Sequence, residues 1–176
     1  MTRLLLTACA VLLLSACGFH LRGALTLPDD IGPIRVVAHD PYSPLAEGVA
    51  QGLERSGAQA STQGPREGKA TLNILLEKWG SNPIAVDAQG RAQEFSLRYA
   101  TIFDLRRADG SIVVPEQSIE LARDYVAPPT DSDGAEAERE ILVREMQREM
   151  VASVLRRIDA VSKAPEPASS DTTQTP

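Results

Sequence analysis

Apolar residues along this chain switch between two periods. Ile34-Arg35-Val36-Val37-Ala38 is a short β-branched run and predicts a first strand. A turn-rich break comes next, His39-Asp40-Pro41-Tyr42-Ser43-Pro44. Leu45, Val49 and Leu53 then recur every fourth residue, with Ala46 and Ala50 beside them. That spacing predicts a helix over about 44–56, capped by Ser43 and stopped by Gly57. The polar stretch 61–69 contains Gly64, Pro65 and Gly68 and reads as a loop. Leu72, Ile74 and Leu76 alternate with Thr71, Asn73, Leu75 and Glu77, predicting a second strand to about residue 81, with Asn82-Pro83 breaking or bending it.

Gln89-Gly90 signals a turn. After it Phe95, Leu97, Tyr99, Thr101, Phe103 and Leu105 share one parity, with Ser96, Arg98, Ala100 and Asp104 between them and Ile102 as an exception. This predicts a long third strand with one face in a core. Asp109-Gly110 signals a tight turn into a fourth strand, 112–125, where Pro115 requires an edge position or a bulge. A loop over 128–134 precedes a long helix, about 135–161, in which Val143, Met146, Met150, Val154, Ile158 and Val161 form one stripe. Asp133 with Glu136 resembles a capping box for it. Residues 164–176 are rich in Pro, Ser and Thr and lack apolar residues that could pack, so a disordered tail is expected.

The order β-α-β-β-β-α gives the fold class. It is α+β, a two-layer sandwich with both helices on one face of a four-stranded sheet. The other face is less polar than a solvated face should be. By parity it carries Leu75, Trp79, Ala100 and Ile102, which suggests a covering partner.

The first residues change the picture. Arg3 precedes an apolar run, Leu4 to Leu14, that ends in Leu14-Ser15-Ala16-Cys17. The run is shorter than the roughly 20 residues a membrane span needs. Small residues before a cysteine form a lipobox, which predicts export, cleavage before Cys17 and acylation of that cysteine. Several acyl chains give stable anchoring. The bland alternative is a plain secretory signal with an incidental Cys17. The predicted organisation is a signal peptide at 1–16, a lipidated tether at 17–30, one domain at 31–162 and a tail at 163–176. By the habits of bacterial lipoproteins, Gly18 in place of Asp favours the outer membrane over inner-membrane retention.

Composition narrows the function. The other cysteine, Cys9, lies in the predicted signal, so no intrachain disulfide is available to the mature chain. There are 18 basic and 24 acidic residues, and removing Arg3 makes the mature chain more acidic still. Nucleic acid is therefore not expected as a partner. His20 and His39 are the two histidines, and no His/Cys cluster suggests a metal. Gly64-Pro65-Arg66-Glu67-Gly68-Lys69-Ala70 is one residue short of a phosphate loop and lacks its Ser/Thr. Asp131-Ser132-Asp133-Gly134 has its glycine too early for a calcium loop. No spacing singles out a nucleophile or a carboxylate pair, so no catalytic residue and no cofactor are expected beyond the lipid on Cys17, an N-acyl and S-diacylglycerol modification.

Cys17-Gly18-Phe19-His20-Leu21-Arg22-Gly23 resembles the mature start of the lipopolysaccharide-assembly lipoprotein family, LptE. So do Gln89-Gly90-Arg91-Ala92-Gln93-Glu94-Phe95, Ala122-Arg123-Asp124-Tyr125, Leu142-Val143-Arg144-Glu145-Met146 and Leu155-Arg156-Arg157-Ile158. The resemblance runs in order along nearly the whole mature chain. It implies the same two-layer sandwich, seated in the lumen of a large outer-membrane β-barrel, LptD, as a one-to-one plug and assembly partner. It also implies contact with lipopolysaccharide. Arg91 lies near the family's basic turn position, which Ala88 occupies in strict alignment. Lys78 and Arg98 flank it, and these three are the lipopolysaccharide-binding candidates. Arg22 and Arg123 are expected to be structural or barrel-facing. The loop before the long helix departs from the family pattern, being acidic at Asp131, Asp133, Glu136 and Glu138. The competing readings are a generic periplasmic adaptor and an enzyme acting on envelope polymers.

Overall fold

In the computed structural model residues 25, 27–28, 30–128 and 132–163 are described. The predicted signal peptide, Cys17, the Gly18–Gly23 motif and the tail from residue 164 lie outside them. In chain order the elements are β1 (Ile34–Ala38), α1 (Pro44–Arg55), β2 (Ala60–Ser61), β3 (Ala70–Val86), β4 (Ala92–Arg106), β5 (Ile112–Val126) and α2 (Ser132–Ser162).

The sheet order is β2-β1-β3-β4-β5. Strand β1 runs parallel to β2 and β3, while β3–β4 and β4–β5 are antiparallel hairpins. The sheet thus has five strands where four were expected. The addition is a two-residue pairing of Ala60 and Ser61 with Ile34 and Arg35. Its length is too short for any periodic signal. It forms because the Ile34 N–H finds an acceptor in the Gln59 carbonyl at 2.7 Å.

Local signals explain α1. The Ser43 hydroxyl accepts the Ala46 N–H at 3.1 Å, satisfying one of the orphan donors of the first turn, and Pro44 opens the helix. At the other end Gly57 takes φ 92° and its N–H reaches the Glu54 carbonyl. Leu45, Val49 and Leu53 are fully buried. Helix α1 packs over β1 and β2, α2 over β5, and the two helices touch. Their contact runs through glycine: a Cβ on Gly48 would come within 2.7 Å of Val151, and one on Gly52 within 2.5 Å of Leu155. The α2 stripe of Met146, Met150, Val154 and Ile158 closes the core, each side chain contributing about 2 kcal/mol on a transfer scale.

One strand and one helix start differ from expectation. Strand β3 continues through Asn82-Pro83 to Val86, with register shifts on either side of Ala85. Beyond Ile74 it has lost β1 as a neighbour, so a proline costs no second ladder there. A bulge between Ile74 and Leu76 reverses the facing of the rest of the strand. Leu76 pairs with Ile102 on the outer face, whereas Glu77 pairs with Thr101 and Trp79 with Tyr99 on the helix side. Trp79 therefore does not belong to the outer face. Its ring stacks on Tyr99 with centroids 3.9 Å apart. Helix α2 begins at Ser132, one residue before the expected cap, which places Asp133 inside the first turn. Pro115 is accommodated in both foreseen ways: β5 is the edge strand, and its register shifts between Gln117 and Val114.

Candidate interaction faces

The outer sheet face is built from alternate residues of β3, β4 and β5. Its centre holds Leu76, Ala100 and Ile102, with Ala122 beside Arg98. Leu76 is 41% exposed. Charged residues surround this centre. Lys78 pairs in register with Ala100, and Arg98 with Gly80 and Ala122. Arg98 Nη1 donates to Glu120 Oε1 at 2.8 Å, and both side chains are about half exposed. Such an exposed pair adds little stability, about 0.5 kcal/mol, so its charges remain available to a partner.

Arg91 sits elsewhere. It closes the β3–β4 turn, where Gly90 takes φ 76°. Asp87 organises that turn. One carboxylate oxygen accepts the N–H groups of Gln89 and Arg91 at 2.9 and 2.8 Å, and the other accepts Arg91 Nε at 2.7 Å. These donors, the Arg91 backbone N–H foremost, hold the Asp87 carboxyl below its ordinary value. The remaining guanidinium nitrogens of Arg91 belong to a side chain that is 58% exposed. Seven residues of β-strand, about 23 Å at 3.3 Å each, separate Arg91 from Arg98. The structure thus brings Lys78 and Arg98 onto one face and leaves Arg91 at the tip. Arg123 lies on the helix side, where Nη2 donates to Glu149 of α2 at 2.5 Å. Cys17 and Arg22 are outside the described residues.

One network escaped the sequence reading. Glu77 accepts Tyr99 Oη at 2.7 Å on one oxygen and the Ser43 hydroxyl at 2.6 Å on the other. Burial, and then the Glu77 contact, push the Tyr99 hydroxyl well above its usual range. The network ties the α1 cap to the two central strands. The doublet Leu75-Leu76, which breaks the alternation, was the available signal for the bulge that creates it. No group of three or more potential metal ligands occurs among the described residues. No helix among them is long and apolar enough to cross a membrane.

Comparison with known proteins agrees with this architecture. The chain is 27% identical over 160 residues to the LPS-assembly lipoprotein LptE of Photorhabdus laumondii, covering 91% of this chain and 86% of that one. It is 26% identical over 165 residues to the protein of the same name from Yersinia pestis, covering 91% and 76%. Among solved structures, lipoprotein B of Nitrosomonas europaea shares the fold with a TM-score of 0.68 at 23% identity, over 84% of this chain and 94% of that one. Rare lipoprotein B of Shewanella oneidensis does so with a TM-score of 0.61 at 19% identity, over 73% and 95%. The family model for lipopolysaccharide assembly, LptE, matches residues 31–158, and the chain belongs to that family.

Proposed function

We propose that this protein is the lipoprotein subunit of the lipopolysaccharide translocon, anchored to the outer membrane through Cys17 and seated inside the LptD β-barrel at one-to-one ratio. Its role is non-catalytic. It supports assembly of the barrel, plugs its lumen and assists delivery of lipopolysaccharide to the outer leaflet. The observation that carries this reading is the family membership over residues 31–158, joined to an outer sheet face with an apolar centre that no described residue covers. A barrel wall with apolar and charged side chains suits that face. Lys78 and Arg98 on the face, and Arg91 at the turn, are the proposed contacts to anionic groups of lipopolysaccharide.

The test is a detergent pull-down of the tagged full-length protein from its native membrane, with partners identified by mass. One large β-barrel at stoichiometric ratio is expected. Recovery without a barrel, or with a mixture of periplasmic proteins, contradicts the proposal and favours the adaptor reading.

A further inference from the structure

We infer that the edge of β3 beyond the end of β1 is a docking lane for an extended, cationic segment of a partner protein, which adds a strand to the sheet there. Strand β1 pairs with β3 from Ile34↔Ala70 only as far as Ala38↔Ile74, whereas β3 runs on to Val86 against β4. From Leu75 onward, among the described residues, no strand lies on the β1 side of β3. Alternate residues of a strand turn their N–H and C=O groups to either side, so this stretch holds a row of main-chain donors and acceptors open to a neighbour. The lane is a step within the sheet. An incoming strand would lie end to end with β1 and hydrogen-bond to β3, the mode known as strand addition.

This edge is poorly guarded. Native edges are blunted by charges, prolines, bulges or a covering element. The other long edge, β5, has Pro115, a register shift and the exposed acids Glu116, Glu120 and Asp124. Between Leu75 and Asn82 the only charges are Glu77 and Lys78, and the first proline is Pro83. Leu75 and Leu76 are 50% and 41% exposed, and Gly80, Ser81 and Asn82 are exposed beyond them.

Side chains at the head of the lane select its occupant. Where β1 gives way to His39-Asp40, a cavity of about 260 Å³ opens, lined by Ala38, His39, Asp40, Ile74, Glu77 and Trp79. Its two carboxylates have no Lys or Arg partner among the described residues. Asp40 accepts the Tyr42 N–H at 2.9 Å on one oxygen, and Glu77 accepts the hydroxyls of Tyr99 and Ser43. A lysine or arginine of an added strand suits this cavity, its stem against Ala38 and Ile74 and its charge beside the carboxylates. On the outer side of the lane the exposed Leu76 suits an apolar residue, so the pattern that fits alternates cationic and apolar. A second copy of this chain fits less well. A two-fold β3–β3 pair keeps like faces together, so its Lys78, on the outer face, could not reach Glu77 on the helix side. The lane is separate from the Lys78–Arg98 face, and the inference does not depend on the barrel reading.

The test titrates the detergent-extracted full chain with the peptide (Val-Lys)4 by calorimetry and follows amide exchange by mass spectrometry. Saturable binding is expected, with exchange slowed within residues 75–82 and unchanged along β5. The fully N-methylated peptide, which cannot donate main-chain hydrogen bonds, should not bind. (Val-Glu)4 should bind at least about three-fold more weakly, and Asp40→Asn should weaken (Val-Lys)4 by about as much. Asn at position 40 can still accept the Tyr42 N–H, so Tm should hold while binding falls. The inference is overturned by no binding of (Val-Lys)4, by equal binding of the N-methylated or glutamate peptide, or by protection outside 75–82. Protection of 75–82 that appears without peptide as the chain dimerises would assign the lane to a second copy and overturn it as well.

Discussion

Tyr99 donates its hydroxyl to Glu77 at 2.7 Å, and through that carboxylate it is joined to Ser43, the residue that caps the first helix. A central strand and a helix terminus thus share one acceptor. Removing the donor by Tyr99→Phe leaves Glu77 with half its partners inside a partly closed site. The expected loss is about 1–2 kcal/mol, read as a lower denaturant midpoint without a change in slope. An unchanged midpoint would show that the network contributes nothing.

Ser43→Ala removes both the cap and the second donor to Glu77. A lost cap alone costs about 1 kcal/mol. The two changes share one acceptor, so the double variant Ser43→Ala, Tyr99→Phe should depart from additivity by at least about 0.5 kcal/mol in a mutant cycle.

Gly52 sets the close approach of α1 to Leu155 of α2. In Gly52→Val even the Cβ would come within 2.5 Å of Leu155 Cδ1, so the Leu155 side chain must shift. Overpacking of this kind costs about 1–3 kcal/mol. Leu155→Ala in the same chain should recover part of that loss, and denaturant unfolding of the single and double variants reads the recovery.

The β3–β4 turn should be acid-sensitive. The Asp87 carboxyl is held below the ordinary aspartate value of 3.8 by the N–H groups of Arg91 and Gln89. A carboxyl whose folded pKa is depressed adds stability that is fully present above its unfolded pKa. That stability is lost as pH falls through the lower, folded value. The Asp87 carboxyl resonance should therefore titrate below 3.8, and Asp87→Asn should flatten the acid limb of the stability profile.

Most of the fold was legible because its signals were local and repeated. The α1 stripe of Leu45, Val49 and Leu53, the shared parity of Phe95 to Leu105 on β4, and the turn pairs Gln89-Gly90 and Asp109-Gly110 each agree with the structure. Illegible features depended on pairing between distant segments. The bulge at Leu75 reversed Glu77 and Trp79, and parity counted along one strand cannot register an inserted residue. Strand β2 is two residues long and is defined by its pairing with β1. The candidate ligand residues were read from neighbouring strands and a turn, and hairpin length then set Arg91 far from Arg98.

The most direct test of the plug account is in-cell crosslinking from the outer sheet face, with a photoreactive residue replacing Ala100 beside Ile102 and Lys78. The account predicts a single adduct with a large outer-membrane β-barrel, absent when the barrel is depleted. Capture of soluble periplasmic proteins alone, or no barrel adduct from correctly localised protein, would contradict it.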